Sequence, residues 1–382
     1  MTEVAANSAA PATSGVRIEE LSAAGGRKVA IATLDAPKSL NSITLSMVRA
    51  LDAALIRWQD DPSIACVLLH TDLDKVFSAG GNMRAIREAA LAAPGVVPNP
   101  DALAFFGEEY RLDYRIHTYA KPIVCWGGGI VMGGGLGLMA GASHRIVTET
   151  TRIAMPEINI GLFPDVGGSW LFHRMPGRTG LFAGLTAAPL NAADALFTGL
   201  GDFALPQSDR AGLPQALAAI DWSDSDHANH VTLDLWLRAR SDAAAVQLPE
   251  GEMRTHFDTI QRMTEGSDPL AIAARITGYG GESHWLQQAA KTLAKGSPTT
   301  AALVWTLWNL NQFASLADVL RTDLTVGVQC AAHHDFIEGV RAVLVDKDHA
   351  PRWQYPTLAE VPDALIEEHF VEPWKVHPLA DL

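Results

Sequence analysis

A chain of 382 residues with 48% hydrophobic and 19% charged side chains has a globular balance, and it is long enough for one large domain plus an appendage. Its formal net charge of -14 repels nucleic acid and anionic membrane surfaces, which argues against both as partners. An anionic ligand would need a local cluster of cations and backbone N–H groups.

No stretch reaches the ~18 consecutive apolar residues of a membrane span. Residues 1–16 (MTEVAANSAAPATSGV) are small and polar, without a basic or an apolar region; they read as a disordered tail, not a signal peptide. A cytoplasmic location is the expectation. The odd set of cysteines, Cys66, Cys125 and Cys330, lacks a C-x-x-C pair; buried structural thiols in a reducing compartment are expected.

In chain order, 29–34 (VAIATL) reads as a strand, 35–40 (DAPKSL) as a turn, and 44–58 as a helix capped by Thr44 with Met47, Leu51, Leu55 and Trp58 on one face. Residues 64–70 form a nearly unbroken apolar run, as in a strand covered on both sides. A helix starts near Met83, and 94–100 (PGVVPNP) is a loop. A second helix spans 102–119, ended by Lys121-Pro122, and strands follow at 123–126 and 144–148. Alternating strands and helices indicate an α/β architecture with parallel strands. Beyond about Gly201 helical spacing dominates, with 206–212 (PQSDRAG) as the candidate boundary. The expected division is a tail at 1–16, a core domain at 17–215 and a mainly helical region at 216–382, and no fixed-period repeat is present.

Three clusters carry the chemistry. In FSAGGN (77–82) two glycines let the backbone approach a ligand and turn the Gly81 amide outward at a helix start; an ordinary tight turn is the alternative. GGGIVMGGGLG (127–137) holds seven glycines in eleven residues, costly to order, and suits a second free amide or close helix packing. Within it, GLGLMA with Glu157 about twenty residues on mimics a dinucleotide fingerprint, but its glycines fall inside the helix and not in the turn before it. In MPEINIGLFPDVGG (155–168) Glu157 and Asp165 sit in apolar surroundings. Desolvation there raises a carboxyl pKa and suits acid/base work; a helix cap or an ion pair is the alternative, with an N-cap a serious rival for Asp165. Two amides hold the oxygen of a thioester as it gains charge, and a carboxylate attacks, activates water or moves a proton. G-x-S-x-G is absent. His333-His334-Asp335 lacks H-E-x-x-H spacing, so no metal site is expected.

These motifs together resemble the enoyl-CoA hydratase/isomerase, or crotonase, superfamily. MPE and GLFPDVGG, with FGEEY (106–110), DFIEGVRAVLVDKD (335–348) and Pro351-Arg352-Trp353, resemble its 3-hydroxyisobutyryl-CoA hydrolase branch, over roughly 17–372. The resemblance implies a crotonase-like spiral of ββα turns with a C-terminal helical region over the site. It assigns the oxyanion-hole amides to Gly81 and Gly134, catalytic carboxylates to Glu157 and Asp165, and substrate contact to Glu109. The CoA adenine is expected near Lys38, Ser39, Leu40 and Ala79. Relatives that hydrate double bonds carry a second glutamate where this chain has Gly137, which disfavours hydration. Asn82 stands where the branch usually has Asp, and Asn still caps a helix.

The implied activity is hydrolysis of a short 3-hydroxyacyl-CoA, with 3-hydroxyisobutyryl-CoA of valine degradation foremost. Glu157 acts as nucleophile or as general base. No cofactor is expected, coenzyme A being part of the substrate, and a trimer-based homo-oligomer is. The competing functions are an enoyl-CoA hydratase or isomerase and a non-catalytic acyl-CoA-binding protein.

Overall fold

The computed structural model describes residues 14–382. Among the described residues ten strands form two sheets. The larger holds β1 (Val16–Ser22), β2 (Lys28–Leu34), β3 (Ile64–Thr71), β5 (Ile123–Trp126), β7 (His144–Val147) and β10 (Phe203–Ala204), in that order. The smaller holds β4 (Val76–Ser78), β6 (Ile130–Met132), β8 (Arg152–Ala154) and β9 (Leu190–Asn191). Consecutive strand pairs β3/β4, β5/β6 and β7/β8 each place one strand in either sheet, and a helical segment follows each pair. That repeated step is the spiral of ββα turns. Pairing is parallel except for β1 on β2 and β9 on β8.

Every residue of β3 is buried, as its unbroken apolar run requires of a strand covered on both faces. The helix Leu45–Asp60 begins where Thr44 accepts the Met47 amide, and Met47, Leu51, Leu55 and Trp58 face the core. β1 is a correction to the sequence reading. Val16, placed in the disordered tail, is buried and opens a strand whose full length pairs with β2. Alternation is weak in VRIEELS, so its pairing depends on the neighbouring edge, not on its own pattern. Residues 1–13 of that tail lie outside the described residues.

The C-terminal half is helical. Leu316–Ala332 packs along Pro100–His117, with Gly107 facing Leu324 and Gly327 facing Phe106 and Tyr110. Small residues at these crossings let the two helices approach closely. Among the described residues no helix is long and apolar enough to cross a membrane. Cys66, Cys125 and Cys330 are buried and unbridged.

Candidate active site

Four segments converge on one cavity of about 620 Å3: Ala79–Gly81 after β4, Met132–Gly134 after β6, the stretch from Pro156 to Asp165, and Glu109 from the helix Pro100–His117. Lys295, Val343, Leu344, His349, Pro351 and Trp353 close it from the helical region. A larger cleft of about 850 Å3 shares Met132, Pro156 and Asn159 with it but contains neither glycine amide nor Asp165. The smaller cavity holds the convergent polar groups, which makes it the candidate site.

The two glycine loops touch. A Cβ on Gly80 would lie 3.1 Å from the Met132 carbonyl oxygen, and one on Gly133 would lie 3.8 Å from the Gly80 Cα. The Ile43 amide donates to the Gly80 carbonyl and the Asn82 amide to the Ile43 carbonyl, while the Gly81 N–H has no acceptor among the described residues. The Gly134 N–H, first in the helix Gly134–Gly141, has no acceptor among the described residues. Gly133 is required twice over. Its φ is +49°, and a Cβ there would sit 2.8 Å from Glu157 Oε1. The Glu157 side chain therefore points at the turn that presents the second amide. On the other side Glu109 Oε1 presses against Gly134.

Glu157 is 5% exposed and its Oε2 has no hydrogen-bond partner among the described residues. Burial, then the nearby Asp165 charge, hold its pKa well above the ordinary value. Asp165, 4% exposed, accepts a 2.7 Å hydrogen bond from the Tyr110 hydroxyl. Burial pushes its pKa up to about 6, with the Tyr110 bond opposing. Burial and then Asp165, Asp113 and Glu157 raise Glu109. The N-cap alternative for Asp165 is overturned: the Gly168 amide donates to the Asp165 backbone carbonyl, and the carboxylate faces Tyr110. Asn82 occupies the N-cap position of Met83–Ala92, but its side chain accepts no amide.

Three site residues carried no assigned role in the sequence reading. Tyr110 positions Asp165. Asp323, from Leu316–Ala332, accepts the Gly167 amide at 2.8 Å, and Asp113 lies one helical turn beyond Glu109. Asp113 and Asp323 are buried, with pKa values raised chiefly by that burial. An acidic residue inside the apolar face of 316–332 was a readable signal for Asp323; Asp113, flanked by Arg111 and Arg115, resembles a solvated face. Gly137, where a second glutamate would be needed for hydration, has no room for one. A Cβ there would lie 2.8 Å from Val166 Cβ and 3.0 Å from Asp113 Oδ2.

Other expected residues lie apart. Ala79 lines the cavity, but Lys38, Ser39 and Leu40 do not; they join it through the Ala79 amide, bonded to the Leu40 carbonyl at 3.1 Å. Ser78 Oγ is committed to the Asn41 carbonyl, unlike a nucleophile. Asp335 binds Ser297 Oγ and the Gln354 amide, and His333 stacks on His369. No group of side chains suited to a metal ion occurs among the described residues. Lys295 is the one Lys or Arg among the cavity's lining residues. Replacing it with Ala is expected to raise KM several-fold for a CoA ester but little for the truncated pantetheine ester, because only the former carries the nucleotide phosphates. Equal KM changes for both would remove it from phosphate contact.

The family model for enoyl-CoA hydratase/isomerase matches residues 29–370, and the chain belongs to that family. It is 36% identical over 354 residues to 3-hydroxyisobutyryl-CoA hydrolase, mitochondrial, of Danio rerio, covering 90% of this chain and 87% of that protein. The Homo sapiens protein of the same name is 34% identical over 342 residues, covering 89% and 85%. Among solved structures, a carnitinyl-CoA dehydratase from Mycobacterium thermoresistibile superimposes with a TM-score of 0.82 at 32% identity, covering 95% of this chain and 98% of that one. An enoyl-CoA hydratase from Rhodobacter sphaeroides 2.4.1 gives 0.79 at 31%, covering 94% and 98%.

Proposed function

We infer that this protein hydrolyses the thioester of a short 3-hydroxyacyl-CoA, with 3-hydroxyisobutyryl-CoA as its substrate in valine degradation. The observation that carries the reading is Glu157 directed at the paired Gly81 and Gly134 turns, while position 137 has no room for a second glutamate. The thioester carbonyl oxygen sits between the two amides, which stabilise it as charge develops. Glu157 attacks the carbonyl carbon to give a transient anhydride, or takes a proton from the attacking water. Either route needs its anionic form. Asp165, held by Tyr110, and Glu109 orient the 3-hydroxyl and move protons. The products are the 3-hydroxy acid, as its carboxylate, free CoA thiol and one proton.

The reaction uses no cofactor beyond the coenzyme A of the substrate. A trimer-based assembly and a cytoplasmic location belong to the same proposal. Mitochondrial is the location in the relatives' names, and cell fractionation distinguishes the two.

Likeness to an enoyl-CoA hydratase and a carnitinyl-CoA dehydratase favours a second reading, an enoyl-CoA hydratase or dehydratase using Glu157 and Asp165 as its acid–base pair. A thiol-release assay over branched and unbranched 3-hydroxyacyl-CoAs separates these. Hydrolysis liberates free thiol, fastest with 3-hydroxyisobutyryl-CoA. Enoyl-CoA formation without thiol supports the lyase, and binding without turnover of any ester supports a carrier.

A further inference from the structure

The helix Pro100–His117 carries Glu109, Asp113 and His117 four residues apart, so the three titratable groups follow one face at steps of about 6 Å. Glu109 lines the cavity described above. Asp113 is 4% exposed, and neither of its oxygens has a hydrogen-bond partner among the described residues. A buried carboxyl without partners is costly unless water or a proton satisfies it. A small space of about 20 Å3 lies against it, lined also by His117, Gly137, Ala140 and Val166. One water needs roughly 10–15 Å3 by the same measure. His117 and Ala140 also line a second pocket of about 370 Å3, so the small space and this pocket adjoin.

We propose that Asp113, one water and His117 form a back-side proton path from the hydrolytic cavity to the 370 Å3 pocket. The inference rests on the hydrolase reading. Thioester and water yield carboxylate, thiol and one proton, and that proton must leave while the acyl-CoA fills the cavity on the substrate side. Asp113 takes it up from the carboxylate group around Asp165, passes a proton to the water, and the water passes one to the His117 imidazole, which releases it to solvent. Each member gives up one proton for the one it receives, so the chain resets. Neither residue touches substrate; both act through the others.

The surroundings suit the direction of transfer. Burial, then the charges of Asp165 and Asp323, favour the protonated form of Asp113. On its own helix Glu109, Tyr110 and His117 lie three or four residues from it on the same face, and Arg111, Tyr114 and Arg115 are nearer in the chain. His117 lies edge-on to Trp170 with ring centroids 5.0 Å apart. Burial, then Arg174 and Arg145, lower its pKa, so it holds a proton only briefly near neutral pH.

The test measures thiol release from the same CoA ester by the native protein, D113N, H117Q and A140L. Asp113→Asn is expected to cut kcat about tenfold with KM unchanged and the melting temperature not lowered, since a structural role would lower it. His117→Gln is expected to lose kcat in dilute bulky buffer and recover with added imidazole, which can carry the proton from the outer pocket. Ala140→Leu, which fills the water space and leaves both titratable groups intact, is expected to slow turnover without imidazole rescue, and it reads the path if D113N does not fold. Native kcat in A140L, H117Q or a folded D113N overturns the path, and so does a His117→Gln defect that imidazole leaves unchanged. No thiol release by the native protein would instead defeat the hydrolase reading itself.

Discussion

Replacing Glu157 with Gln is expected to lower thiol release by roughly a thousandfold or more, the scale of losing a positioned base or nucleophile, while CoA-ester binding persists. The amide has nearly the same shape and fits the same space against Gly133, where Glu157 Oε1 stands 2.8 Å from a Cβ position. It lacks the anionic oxygen that both hydrolytic routes use. The variant places no charge in this buried position, so its melting temperature should hold or rise where the native Glu157 is ionised. The measurement pairs thiol release with calorimetric binding of the ester. Native turnover in a folded E157Q removes Glu157 from the mechanism.

The second large effect is on pH dependence. Glu157 must be ionised to act, and burial with Asp165 beside it raises its pKa. The kcat/KM profile should therefore climb with pH along a limb well above the ~4.3 of a free glutamate. Asp165→Asn removes the neighbouring negative charge, so the limb should move to lower pH, and kcat should fall about a hundredfold with the loss of a proton-transfer partner. An unmoved limb in that variant would separate the two carboxylates electrostatically.

Stability follows the same sign. Asp165 has its pKa raised from 3.8 to about 6 in the folded protein, so folding favours its protonated form. That contribution is complete below the unfolded pKa and is lost as pH rises through the folded one. The melting-temperature difference between D165N and the native protein should thus grow in favour of the variant between those two values, and a flat difference would contradict the shift.

Much of this site is written in short stretches of chain. Gly80-Gly81, Gly133-Gly134 and Glu157 are each local features, because a glycine turn ahead of a helix can present an outward amide, and a carboxylate in an apolar run is a candidate for desolvation. The resemblance to the family rests on the same stretches, and through it come the spiral architecture and the significance of Gly137. The adenine contact expected at Lys38, Ser39 and Leu40 lies outside the cavity lining, and it reaches the site only through a backbone bond.

Sequence alone marked the glycine turns at 80–81 and 133–134 as candidates for presenting amides and showed that Glu157 and Asp165 stand in apolar surroundings. Only tertiary structure decided that Glu109, Asp113 and Asp323 are hidden from water, that Tyr110 holds Asp165, and that Lys295 reaches the cavity. The reason is physical: a helix with acids among arginines reads as a solvated face until another helix covers it. Here Leu316–Ala332, roughly two hundred residues away in the chain, lies along Pro100–His117, and that long-range packing turns surface-like charges into buried acids with raised pKa values.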